Sequence, residues 1–193
     1  HSNVTLTLNN CTIEACGNMW KGFVIENGAN IVLNNSYIYD AEYALRLQQS
    51  GDLTINSSHF INNYNSIIAY PGNTHSGILL INGTEFIGTG SMKGPYAGQT
   101  TLIGNHPMAG IVLYDDIVNV ISNTGTPNTF DGLNCGIYAR SSTLNLSNFQ
   151  MRNIRPGPAY GASRFNGCGV YAVARPELTS GNLTVQGFGQ ASS

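Results

Sequence analysis

Six segments of the chain repeat one short phrase, a small residue followed by inward-type and outward-type positions in alternation. They are Gly22-Phe23-Val24-Ile25, Ala44-Leu45-Arg46-Leu47, Ser66-Ile67-Ile68-Ala69, Gly110-Ile111-Val112-Leu113, Gly136-Ile137-Tyr138-Ala139 and Gly169-Val170-Tyr171-Ala172. The first two steps are 22 residues each, and the later ones are 44, 26 and 33. One unit therefore recurs with insertions, and a period of this size specifies a solenoid whose units bury their apolar faces against one another.

A second phrase precedes most of these segments: Leu6-Thr7-Leu8, Ile31-Val32-Leu33, Leu53-Thr54-Ile55, Leu80-Ile81-Asn82 and Leu144-Asn145-Leu146. Its period of two reads as a strand with one face buried. Five residues past its second apolar position stands Ile13, Ile38, Phe60, Phe86 or Met151, a third short strand beyond an Asn-rich bend. No stretch carries a sustained 3.6-residue apolar pattern with capping signals, and 23 glycines punctuate the chain at short intervals. A leucine-rich repeat has a similar period but one strand per unit, so the expectation is a three-sided coil.

The phrases LNNCTI, LNNSYI and INSSHFINN, each leading into the small-apolar-x-apolar segment, resemble the repeats of right-handed parallel β-helix proteins of the pectate-lyase-like superfamily. The resemblance covers nearly the whole chain. It implies an all-β solenoid of about six to seven coils, with long loops in the fourth and sixth. That superfamily holds polysaccharide lyases, glycosidases, tailspikes, adhesins and surface proteins, so the resemblance implies a fold more than a chemistry.

At 193 residues the length suits one domain, 1–193. Both ends enter or leave a strand without a polar cap, and the expectation is a fragment of a longer chain whose remaining domains lie elsewhere. Only 9% of residues are charged and the net charge is −2, which disfavours nucleic acid as a partner; no run is apolar enough for membrane insertion. Four cysteines, Cys11, Cys16, Cys135 and Cys168, are too few and scattered for a disulfide framework or a zinc site. Cys135 and Cys168 each precede a repeated Gly and should stack on consecutive coils, as buried thiols or a disulfide; Cys11 and Cys16 could close a small loop. Seven Asn-x-Ser/Thr sequons occur, several at the same bend, where stacked Asn side chains compete with glycosylation as the explanation.

Alternation directs Val24, Arg46, Ile68, Val112, Tyr138 and Tyr171 outward, followed two residues later by Glu26, Gln48, Tyr70, Tyr114, Arg140 and Val173. Four tyrosines and two arginines share this face, which suits sugar stacking or a protein interface, and equally suits aromatics stacked between coils. Between the third strand and the repeated segment, 24 residues separate Phe86 from Gly110 and 18 separate Met151 from Gly169, against 6 to 9 in other coils. Both long arms leave one corner and flank the fifth coil, leaving a gap expected over Cys135 to Arg140. The first holds Lys93, Tyr96 and His106; the second holds Arg152, Arg155, Tyr160, Arg164 and Phe165, and their cations favour an acidic glycan or an acidic surface.

The resulting expectation is a secreted or cell-surface bacterial scaffold, adhesin-like, binding glycan or a cell-surface protein through Tyr70, Tyr114, Tyr138, Tyr171, Arg140, Tyr96 and Tyr160. A polysaccharide lyase or glycosidase is the enzymatic alternative. A lyase needs carboxylates to hold Ca²⁺ and a base to take the proton alpha to a uronate carboxylate; the compact candidates are Asp115 and Asp116 with Arg140. The other carboxylates are dispersed, the four histidines lack metal-ligand spacing, and no cofactor or metal site is expected outside the lyase alternative. A structural stalk is the third reading.

Overall fold

The computed structural model describes residues 4–26, 28–48, 51–69, 76–95, 106–114, 117–122, 125–140, 142–157, 165–173 and 183–185. Strands β1 (Thr5–Asn9), β2 (Thr12–Ile13) and β3 (Phe23–Ile25) form the first coil, and β4 (Asn30–Asn34), β5 (Tyr37–Tyr39) and β6 (Tyr43–Leu47) the second. The third holds β7 (Leu53–Asn56), β8 (His59–Ile61) and β9 (Asn65–Ala69); the fourth β10 (Ser76–Asn82), β11 (Glu85–Ile87) and β12 (Ala109–Tyr114). The fifth holds β13 (Ile117–Ser122), β14 (Asn128–Asp131) and β15 (Cys135–Arg140); the sixth β16 (Thr143–Leu146), β17 (Phe149–Arg152) and β18 (Cys168–Val173), and β19 (Leu183–Val185) opens another turn.

Each strand hydrogen-bonds to its counterpart one coil away. The result is a seven-stranded parallel sheet of all first strands from β1 to β19, and two six-stranded sheets of second and third strands. The six repeated phrases fall in one register, with Phe23, Leu45, Ile67, Ile111, Ile137 and Val170 aligned along the third sheet. Ile13, Ile38, Phe60, Phe86, Phe130 and Met151 align in the second. Because parallel neighbours are about 4.8 Å apart, identical rings on successive coils can stack. Phe60, Phe86 and Phe130 do so, with centroids 5.2 and 4.6 Å apart and planes within 10° and 14°. These rings are fully buried in one core cluster with Leu33, Ile55, Ile81 and Leu113.

That core explains the small first residue of the repeated phrase. A Cβ on Gly110 would lie 2.6 Å from the Phe130 ring, and one on Gly136 would lie 2.5 Å from the carbonyl of Gly169.

Asn-rich bends mark two corners. After the first strands the chain takes a left-handed conformation at Asn10, Asn35, Ser57, Gly83 and Asn148; after the second strands it does so at Asp40, Asn62, Gly132 and Asn153. Short polar side chains and glycine tolerate this conformation best. Along the first corner Asn34 Nδ2 donates to Asn9 Oδ1 at 2.8 Å, Asn56 Nδ2 to Asn34 Oδ1 at 2.9 Å, and Asn35 Nδ2 to Asn10 Oδ1 at 2.7 Å. Ser36 and Ser58 are fully buried there; the Ser58 hydroxyl donates to Asn56 O at 2.8 Å and accepts from Ser36 N at 3.2 Å. The Asn-x-Ser pattern at Asn34 and Asn56 thus follows from coil geometry, an outer amide ladder beside an inner hydroxyl ladder.

The fifth coil's first two strands, β13 and β14, do not keep the spacing of the phrases in the other coils. Ser122 takes the register position of Ile81, and Phe130 follows it by eight residues where Phe86 follows Ile81 by five. A lengthened first corner hides the third member of the phenylalanine stack.

Candidate functional site

Val24, Arg46, Ile68, Val112, Tyr138 and Tyr171 share one line on the outside of the third sheet. They do not share one environment: Val24 is 41% exposed, whereas Ile68 is 3% and Val112 0%. A second apolar cluster, outside the solenoid, covers the middle of this line. Ile68, Ala109, Val112 and Cys135 pack there with Tyr43, Met108, Tyr114, Tyr138, Phe165 and Tyr171. Met92, Met108 and Phe165, all from the arms, also cover Met19 and Tyr64.

Tyr138 is flanked along the rod by Tyr114, centroids 5.2 Å apart and tilted 50°, and by Tyr171, 5.4 Å apart and 24° from parallel. Phe165 meets it edge to face at 5.7 Å. Phe165 of the second arm therefore covers part of the expected opening over Cys135 to Arg140. A sugar stacking on aromatics needs a free ring face, and Tyr138 has a neighbouring tyrosine on each side. Arg140 is half-buried beside Tyr114 in register. Tyr70, Tyr96, Tyr160, Asp115 and Asp116 lie outside the described residues.

The arms are tied to the rod. Lys93 Nζ sits 2.7 Å from Asp40 Oδ2 and donates to the Ala15 carbonyl at 2.6 Å, while Met19 N donates to Gly94 O at 2.7 Å. The hydrogen bond that Lys93 donates to the Asp40 carboxylate raises the Lys93 pKa. Lys93, expected to serve an acidic ligand, instead holds the first arm against the first two coils. In the second arm Arg155 N donates to Leu133 O at 3.0 Å, and Gly157 N donates to both Asn134 Oδ1 at 2.9 Å and Asn166 Oδ1 at 2.8 Å.

Between the arms lies a cleft of about 240 Å³, displaced from the expected place to the corner just before β15. Gly88, Thr89, Gly90 and His106 line it from the first arm, Gly132 and Asn134 from coil five, and Arg155, Pro156 and Gly157 from the second arm. Gly88 and Gly132 approach so closely that a Cβ on Gly132 would lie 2.2 Å from the Gly88 carbonyl and one on Gly88 2.4 Å from the Gly132 carbonyl. Among the described residues no carboxylate lines the cleft. Asn134 is 2% exposed, and its Nδ2 has no hydrogen-bond partner among the described residues. His106 and Arg155 were visible in the sequence as arm residues. Asn134 was missed; its one signal is an amide one residue before the aligned Asn65, Ala109 and Cys135, where the preceding coils carry Tyr64 and Met108.

All four cysteines are free, so Cys11 and Cys16 close no loop by a disulfide. Cys135 and Cys168 are register partners, as their spacing suggested. Burial first, then the neighbouring Cys168, pushes the Cys135 thiol up to about 12, which suppresses thiolate chemistry. On the second sheet His59 Nδ1 lies 2.9 Å from Glu85 Oε2, and Tyr37 stacks on the imidazole at 4.3 Å, a contact between coils that the dispersed histidines did not foretell. Among the described residues no three His, Cys, Asp or Glu side chains form a group able to hold a metal ion.

A family model described as right-handed β-helix region matches residues 1–105. No curated protein and no solved structure matches the chain.

Proposed function

The chain belongs to the right-handed β-helix family, and from there we propose that it is a secreted or cell-surface scaffold, adhesin-like, that binds an acidic glycan on the flank carrying its two arms. The fold alone supports no chemistry, since such scaffolds host many activities. What supports this reading is the cleft: the arms converge on coil five and line it with Arg155 and His106, coil five adds Asn134, and no carboxylate lines it among the described residues. Guanidinium and amide donors recognise anionic oxygens well, and an absence of competing carboxylates keeps them available in sign. Tyr114, Tyr138 and Tyr171, with Arg140, extend the surface along coils four to six, and Tyr70, Tyr96 and Tyr160 belong to the same proposal.

A screen of the purified chain on a glycan array and on uronate polymers, with and without Ca²⁺, tests it. Retention of acidic but not neutral glycans, with no new ultraviolet absorbance, is the expected outcome. Absorbance from unsaturated products would replace it with a lyase using Asp115, Asp116 and Arg140, and no retention at all would sink it in favour of a stalk. Within this reading, replacing Tyr138 and Tyr171 by Ala lowers retention severalfold while circular dichroism stays that of a β-solenoid; unchanged retention removes the tyrosine file from the site.

A further inference from the structure

We propose that the cleft at the corner of coil five is a subsite for a single acidic sugar unit, gripping its anionic oxygen group, a carboxylate or a sulfate ester. The inference rests on the glycan-binding reading above and names the group that the site would recognise.

Three observations carry it. Asn134 lines the cleft at 2% exposure; its Oδ1 is used by Gly157 N at 2.9 Å, and its Nδ2 protons have no acceptor among the described residues. Buried amide donors are nearly always satisfied, so one left over beside a cavity calls for an oxygen from outside the chain. The lining has a guanidinium from one arm and an imidazole from the other, and, among the described residues, no Asp or Glu. An anion entering there meets only donors or neutral groups. Finally, about 240 Å³ is less than the roughly 300–1,000 Å³ of sites for drug-sized ligands. One sugar ring or its charged substituent fits this scale, and a polymer would pass over the mouth with one unit inserted.

The arms make the geometry durable. Arg155 N is bonded to Leu133 O at 3.0 Å, and Gly167 N to Asn134 O at 3.0 Å, so the second arm closes on coil five at both ends of its described part. The close approach of Gly88 and Gly132 braces the opposite wall.

The test is a calorimetric and NMR titration of the whole chain with galacturonate, galactose 6-sulfate and galactose. At least one acid is expected to bind ten times or more tightly than galactose, more weakly as salt rises, and to shift the Asn134 side-chain amide resonance. Comparing the two acids tells carboxylate from sulfate as the preferred group. Arg155→Gln, at an exposed position, should cost at least tenfold. Asn134→Asp keeps an acceptor for Gly157 N while placing a like charge in the cleft, and should abolish binding of the acids. Should that variant fail to fold, Arg155→Gln decides alone. Equal affinity for galactose, or acid binding unchanged in Arg155→Gln, overturns the proposal. Acidic polymers retained equally by the wild type and Arg155→Gln overturn the cleft and leave the glycan reading standing; acids bound in the cleft without polymer retention do the reverse.

Discussion

Two files of residues run along the rod, one on the inside of the second sheet and one on the outside of the third. Inside, Ile38, Phe60, Phe86 and Phe130 are all 0% exposed, and each sees the same surroundings as the one before. Outside, Val24 and Val112 occupy equivalent positions, yet one is 41% exposed and the other fully buried. The interior environment is set by the coil and repeats with it. The exterior environment is set by where the inserted arms fall, and it changes within a few coils.

The sharpest way to break this contrast is through the interior. Phe86→Ala removes the middle ring of the stack and leaves a cavity that neighbours on two coils cannot fill, an expected loss of about 3–5 kcal/mol in denaturant titration. A loss under 1 kcal/mol would mean the coils repack freely and the interior file is not the organising element. A matched pair then probes the exterior: Val112→Ala should cost about 1.5–3 kcal/mol, the scale for a fully buried valine, while Val24→Ala should stay within about 0.5 kcal/mol, as ordinary surface substitutions do. Equal effects would show that the arms do not cover Val112 in solution.

The smallest effect concerns Glu42, which precedes β6 on the same flank. Its side chain is buried and Oε2 has no partner among the described residues. Burial raises its pKa above 4.5, outweighing a hydrogen bond from Tyr43 and the charges of Arg46 and Lys21, which lower it. The folded state thus holds this proton more tightly than the unfolded chain. Its stabilising contribution is complete below pH 4.5 and is lost as pH rises through the folded-state value. Glu42→Gln should therefore flatten the fall in melting temperature between mildly acidic and neutral pH; a profile that stays parallel to the wild type would remove Glu42 from the flank's pH response.

Much of the coil was legible beforehand because its signals are local and repeated. The six small-apolar-x-apolar phrases, the apolar residue five positions past the first strand's second apolar position and the pairing of Cys135 with Cys168 all follow from alternation repeated from coil to coil. Where the spacing stretched, from Ser122 to Phe130, the reading lost two strands. The site was legible only as a location. Long arms at coils four and six pointed to coil five, but Phe165 over Tyr138, Lys93 on Asp40 and the cleft at Asn134 join residues with no common periodicity, Lys93 and Ala15 being 78 apart.

By itself, the sequence determined the solenoid, the alignment of its coils and the chemistry of its corners, because burying one face of each strand against an identical neighbour requires only a repeating pattern. Tertiary structure alone decided which outward residues are covered and where an opening remains. Those outcomes depend on how two unrepeated arms dock onto the rod, and docking is settled by individual backbone bonds and packed rings that occur once.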